Sequence, residues 1–159
     1  MAKAPAQVWV SGPPPLPVLK VVNLVIRPLL ASRLGRRMSG LMLLEFTGRR
    51  TGRTITVPVT CHLIDGAPVA FTDRPWRLNF RGGTAVKVTH RGRVRHGRGT
   101  LLAVTPDEMA ALVRRALDNG ESKSMLGIGT ARGHEPSAAE LAALGPALGT
   151  EVIKFELDD

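Results

Sequence analysis

This 159-residue chain has one cysteine, no tyrosine, and only four phenylalanines and two tryptophans. The lone Cys61 excludes an internal disulfide and a cysteine-based zinc cluster, and it fits a reducing compartment, so a cytoplasmic protein is expected. No apolar run approaches the roughly 20 residues of a membrane span, and the start lacks the charged, apolar and small-residue succession of a signal peptide. Acid is scarce where base is plentiful: residues 1–100 hold 17 basic and 3 acidic side chains, against 5 and 10 in residues 101–159. The positive field therefore belongs to the first half and calls for an acidic ligand, a lipid surface or nucleic acid. Nucleic acid is the weakest of the three, because the few aromatics are not interleaved with the basic residues. The sequence offers no triad, dyad or metal-ligand spacing. His90 and His96 flank a basic hairpin, and His134 sits in a predicted loop. Arginine outnumbers lysine 17 to 5, as in GC-rich genomes.

What is present concentrates between residues 40 and 83. An apolar strand, Leu41 to Phe46, runs into Thr47-Gly48-Arg49-Arg50-Thr51-Gly52-Arg53. Some twenty residues later comes Pro75-Trp76-Arg77-Leu78-Asn79-Phe80-Arg81-Gly82-Gly83. Glycines let the backbone turn tightly with its amides exposed, arginines supply planar forks for phosphate or carboxylate, and Thr51 adds a hydroxyl. The loop is either an anion-binding turn at a strand end or a well-solvated hairpin turn, and a short Gly/Arg motif does not decide between them.

Around these segments the pattern predicts a proline-rich, flexible arm over residues 1–17, with Pro5, Pro13 to Pro15 and Pro17, and then one domain over 18–159. Residues 18–38 read as a basic amphipathic helix in which Val18, Val21, Val22, Val25, Leu29 and Leu30 recur at helical spacing. Pro28 should kink it or start a second helix. This helix either covers the open end of a barrel or lies on an anionic membrane surface, peripheral to the inner face of the cell membrane. Strands are predicted at 41–46, 54–64, 68–72, 85–90 and 93–104, with Asp65-Gly66 and Arg91-Gly92 as hairpin turns. Thr105-Pro106-Asp107-Glu108 opens a helix that Gly120 ends; 127–136 is loop; Ser137 to Glu140 caps a short helix; and 151–157 alternates into a last strand. The fold class is mainly β with peripheral helices (α+β).

The order Thr47 to Gly52, Pro58, Asp65-Gly66, Trp76, Asn79-Phe80 and Gly82-Gly83 resembles that of the deazaflavin (F420)-dependent nitroreductase family, a branch of the split β-barrel flavin/deazaflavin oxidoreductases common in actinobacteria. The likeness spans roughly residues 20 to 157. It implies a split β-barrel of the FMN-binding, pyridoxamine-phosphate-oxidase-like kind, and a homodimer. The implied cofactor is coenzyme F420, favoured over FMN because clustered arginines suit a phosphodiester with a glutamate tail. By the same resemblance, Arg49, Arg50, Thr51, Gly52 and Arg53 hold the anionic tail. Pro58, Phe71, Thr72, Trp76 and Asn79 bound the slot for the ring. Trp76 is either an apolar wall or a core aromatic, and Asn79 either fixes a polar group of the cofactor or pins its helix.

The chain departs from the family where relatives carry tyrosines, near Thr60 and at Arg77. No phenolic donor exists, so a proton must come from water, from the substrate or from His62, which is expected to share a strand face with Thr60. Thr60, His62 and Arg77 are the expected substrate contacts, with Arg77 taking a carboxylate. Two functions follow: an F420-dependent oxidoreductase passing hydride to an unsaturated, quinone-like or lipid-type substrate, or a non-catalytic barrel holding a fatty acid, haem or tetrapyrrole.

Overall fold

The computed structural model describes residues 7–10, 16–38 and 40–159. Among these residues, nine strands and three α-helices run in the order β1 (Val8–Val10), α1 (Leu16–Ala31), β2 (Leu41–Thr47), β3 (Thr54–Thr60), β4 (His62–Ile64), β5 (Ala67–Phe71), β6 (Thr84–His90), β7 (Arg93–Ala103), α2 (Pro106–Asp118), β8 (Ile128–Thr130), α3 (Ala138–Leu148) and β9 (Glu151–Leu157). Short 3-10 turns occupy Arg33–Arg37, Pro75–Phe80 and Lys123–Leu126. The chain divides into two compact units, residues 14–103 with 151–159, and residues 1–13 with 104–150.

The first unit is an antiparallel seven-stranded sheet in the order β3-β2-β6-β7-β9-β5-β4. Its two edge strands are consecutive in sequence, separated by Cys61 alone, so the edges meet at that corner and the sheet curls on itself. The sequence pattern had merged them into one strand over 54–64. The break arises because Cys61 donates its backbone N–H to Gly40 O (2.9 Å) while β3 pairs with β2 and β4 pairs with β5. Both predicted hairpin turns form, with left-handed φ at Asp65 and Gly66 and again at Arg91 and Gly92.

Alternation sorts the faces. Met42, Leu44, Phe46, Val86, Val88, Ile153 and Phe155 fill the interior, with Phe80 inserted among them and Ile55, Val57 and Val59 packed alongside. Gly99 makes room for this plug. A Cβ there would stand 2.6 Å from Phe80 Cδ1 and 2.9 Å from Phe155 Cε1. The opposite face of β3, β2 and β6 receives α1, whose Leu30 is buried yet lies outside the interior cluster. Arg27 ties α1 down by donating to Thr56 O at 2.8 Å. The helix thus covers a face of the sheet. The helix continues past Pro28 without interruption, and the second helical piece starts at Arg33, where Ser32 Oγ accepts from Leu34 N (3.2 Å) and donates to Leu29 O (2.6 Å). Val18, Val21 and Val22 lie outside the described side chains.

In the second unit, β1 pairs with β8, so residues 8–10, expected in a flexible arm, and 128–130, expected in a loop, form a small ladder. Val-Trp-Val is a good β-former, and pairing supplies the backbone partners that a solvated arm would seek from water. Pro5 and Pro13 to Pro15 lie outside the described residues. Both predicted capping boxes form, Thr105 with Glu108 and Ser137 with Glu140. Gly145 lets α3 approach α2, since a Cβ there would stand 2.5 Å from Pro106 O.

Two expectations follow. Gly99→Ala forces ring atoms apart in a filled interior and should destabilise the sheet unit by about 1–3 kcal/mol, read as a fall in thermal midpoint. Glu140 is held below the usual carboxylate range, first by the Ser137 backbone N–H and then by His134 at 2.9 Å. A carboxylate depressed in this way contributes stability above its unfolded pKa and loses it as pH falls through the folded value. Glu140→Gln should therefore flatten the decline in stability below about pH 4.5, as followed by melting at successive pH values.

Candidate functional site

The anion loop is the turn joining β2 to β3, and its backbone is largely committed. Gly48 N donates to Arg53 O (2.8 Å), Gly52 N to Gly48 O (2.9 Å), and Arg53 N to Thr51 Oγ1 (3.3 Å). Gly52 sits at φ +65, and buried Gly48 has no room for a side chain beside Ile55 and Thr51. The expected cradle of free amides is therefore mostly used in shaping the loop. What the loop presents outward is the exposed guanidinium groups of Arg50 and Arg53, which have no acidic partner among the described residues.

Arg49 turns the other way. Its backbone N–H donates to Asn79 Oδ1 at 2.8 Å, and its Nη1 reaches Leu78 O (3.4 Å) and Arg81 O (3.5 Å). Asn79 Nδ2 in turn donates to Trp76 O at 2.8 Å, and Thr84 Oγ1 donates to Asn79 O. Asn79 therefore pins the loop to the Pro75–Phe80 turn through both ends of its amide. That turn begins with Pro75 at its first position, where a missing N–H costs nothing. Trp76 lies half-buried on the aromatic plug, its ring centroid 6.0 Å from Phe46 and 6.2 Å from Phe80.

Past this turn, Gly82 and Gly83 adopt left-handed φ of 71 and 87. Arg98, reaching across from β7, donates to Gly82 O (2.9 Å) and lies so close over Gly83 that a Cβ would strike its guanidinium. Arg81 is exposed, and its side chain has no acidic partner among the described residues. One end of the sheet unit thus carries a rim of arginines: Arg50 and Arg53 on the loop, Arg81 after the turn, and Arg98 on β7.

The remaining expected residues scatter. Pro58 faces away from the Val57 and Val59 side, on the surface that α1 covers. Phe71 is likewise turned from the interior, since its neighbour Ala70 belongs to the core, and it packs on His62 with ring centroids 4.7 Å apart. Strand alternation therefore separates both from Trp76. Thr72 Oγ1 accepts Arg74 N at 3.1 Å. Thr60 ends β3 opposite Leu41, whereas His62 belongs to β4 opposite Val69, so the two share no continuous strand. His62 is buried, only 1% exposed. Arg77 is engaged by Glu151, Nε to Oε2 at 2.7 Å, and donates to Asp73 O (2.9 Å) and Arg74 O (3.3 Å). These contacts buttress the turn.

No family model matches this chain, and no curated protein does. Among solved structures, an F420-H2 dependent reductase (FDR-A) is similar at 15% identity and a TM-score of 0.43, over 74% of this chain and 94% of that one. A domain-swapped dimer gives the same identity and score over 74% of this chain and 80% of its own. A Bacteroides thetaiotaomicron protein provisionally assigned to 5-nitroimidazole antibiotic resistance is similar at 7% identity and a TM-score of 0.40, over 100% and 92%.

Removing the Asn79 amide leaves the Arg49 N–H and the Trp76 carbonyl without their partner, which should cost about 1–3 kcal/mol. Asn79→Ala is expected to raise hydrogen exchange at the Arg49 amide while the sheet amides of β6 and β7 stay protected.

Proposed function

We propose that the arginine rim holds the anionic part of coenzyme F420 and that the protein is an F420-dependent oxidoreductase. The observation that carries this reading is the cluster of exposed guanidinium groups on Arg50, Arg53 and Arg81, none with an acidic partner among the described residues, on a loop that Asn79 fixes to the Trp76 turn. A phosphodiester with a glutamate tail carries several negative charges at spaced positions. Guanidinium forks match such groups better than they match a neutral ligand.

In this reading Arg50 and Arg53 bind the tail, with Arg81 extending the rim. Arg49 and Asn79 set the loop's position, and Trp76 offers a half-buried apolar surface to a ring. Reduced deazaflavin supplies hydride when bound. The protein's part is then positioning, charge and exclusion of water, which needs no side-chain nucleophile. With no tyrosine in the chain, His62 buried and Arg77 paired to Glu151, the accompanying proton comes from water. An unsaturated, quinone-like or lipid-type acceptor accommodates that constraint, because its reduced carbon or oxygen can be protonated from solvent.

Titration with F420 and with FMN tests the assignment. Wild type should prefer F420, and Arg50→Ala with Arg53→Ala should weaken F420 binding about a hundredfold, at about 1.5 kcal/mol for each charge-assisted contact. Equal affinity of wild type and double variant would remove the anion site. Tight binding of a fatty acid, haem or tetrapyrrole, with no uptake of F420, would favour the non-catalytic barrel.

A further inference from the structure

A second basic surface lies at the other end of the same sheet. The register Met42 opposite His90 and Glu45 opposite Lys87 places the β6–β7 hairpin beside the start of β2, whereas the anion loop follows its end. The seven residues of β2 separate the two by roughly 20 Å. At this end the Arg33–Arg37 turn meets the hairpin: Arg36 packs on Gly92 so closely that a Cβ there would stand 2.7 Å from Arg36 Cγ. Arg33, Arg37, Arg91 and Arg93 are exposed around this contact, and none has an acidic partner among the described residues. Set among them are exposed apolar side chains, Leu34 at 60% and Val94 at 56% exposure, and Leu24, earlier on α1, stands 77% exposed.

We infer that this surface docks the protein on an anionic lipid bilayer. Charge complementarity commits it to a negatively charged face: the chain has no acidic residue before Glu45, and the arginines here keep their full charge. Leu34 and Val94 add what a purely electrostatic contact would lack, apolar groups able to enter the headgroup boundary between the guanidinium groups. Nucleic acid would use the charge but leave these aliphatic side chains in water, and neither the Arg33–Arg37 turn nor the β6–β7 hairpin contains a phenylalanine or tryptophan for stacking on bases. Docking is peripheral, since no helix among the described residues is long and apolar enough to cross a membrane. It uses the turn and the hairpin, and it leaves the arginine rim at the far end of β2 open. The inference stands apart from the F420 reading.

The test is partition of the full chain onto vesicles of phosphatidylcholine alone and of phosphatidylcholine mixed with phosphatidylglycerol, across a salt series. Binding is expected only with the anionic lipid and should weaken as salt rises. Substituting Arg33→Gln, Arg37→Gln and Arg91→Gln together should lower the partition coefficient on the order of a hundredfold. Leu34→Asn with Val94→Asn should lower it about tenfold, chiefly at high salt, where screening leaves the apolar contribution dominant. All five positions are exposed, so the variants should melt like wild type. Equal partition onto neutral and anionic vesicles, no partition onto either, or a triple arginine variant binding like wild type would overturn the inference. So would duplex DNA competing the protein off anionic vesicles at equal charge.

Discussion

The site depends on one side-chain amide. Asn79 accepts the Arg49 N–H and donates to the Trp76 carbonyl, each at 2.8 Å, and so joins two segments thirty residues apart in sequence. Without it, the β2–β3 turn would be an ordinary hairpin end free to sway, and Arg50 and Arg53 would have no fixed position relative to Arg81. A carboxamide is suited to this role because it accepts and donates within one rigid plane without adding charge. An aspartate could take the Arg49 N–H but would turn a second acceptor toward the Trp76 carbonyl and place a negative charge inside the rim. The Phe80 plug completes the arrangement, since it seats the turn carrying Asn79 in the interior of the sheet with ring contacts to Phe46 at 4.7 Å and Phe155 at 5.9 Å.

Much of the frame was legible before the structure. Strand alternation placed β2, β6, β7 and β9 within a residue or so, because a one-sided apolar face enforces period two. Capping boxes located the starts of α2 and α3, since their signal is contained in four residues. Asp65-Gly66 and Arg91-Gly92 announced their turns for the same reason. The misplacements share a different cause. The corner at Cys61, the β1–β8 ladder and the pairing of Arg77 with Glu151 all depend on partners far away in sequence, and nothing local to 54–64, 8–10 or 77 records them. The site divides along the same line. The loop and the Trp76 turn were visible as motifs, and pinning the turn was one of two roles open to Asn79. Arg98 was not found, because its approach to Gly83 exists only across the β6–β7 register. Pro58 and Phe71 were grouped with Trp76 by their order in the chain, although strand alternation turns them to the other face.

The arginines explain how a chain so poor in acid in its first hundred residues can be both folded and strongly positive. Arg27 donates to Thr56 O, Arg49 to Leu78 O and Arg81 O, Arg95 to Leu157 O and Asp158 O, and Arg98 to Gly82 O. In each case a guanidinium donates to backbone carbonyls, tying a helix, turn or strand in place, with no ion pair to an acidic side chain among the described residues. Arg77, paired with Glu151, is a counterexample within the sheet unit, and it sits where a buttress is needed more than a field.

This use of arginine links stability to recognition. Were the same turns held by ion pairs, each structural contact would remove one positive charge from the surface, and the sheet unit would approach neutrality as it became better fastened. Carbonyl-capped guanidinium groups avoid that trade: 17 basic side chains face 7 acidic ones in the unit formed by residues 14–103 and 151–159. Part of the surplus appears at the two ends of the sheet, where turns leave guanidinium groups exposed, while Glu45 and Lys87 pair at 2.9 Å across neighbouring strands. Exposed charge of this kind acts over about a Debye length, roughly 8–10 Å at physiological salt, which is shorter than the separation of the two ends. Each end therefore attracts its own anionic partner through its own field, and salt weakens both while leaving the carbonyl contacts that shape them largely intact.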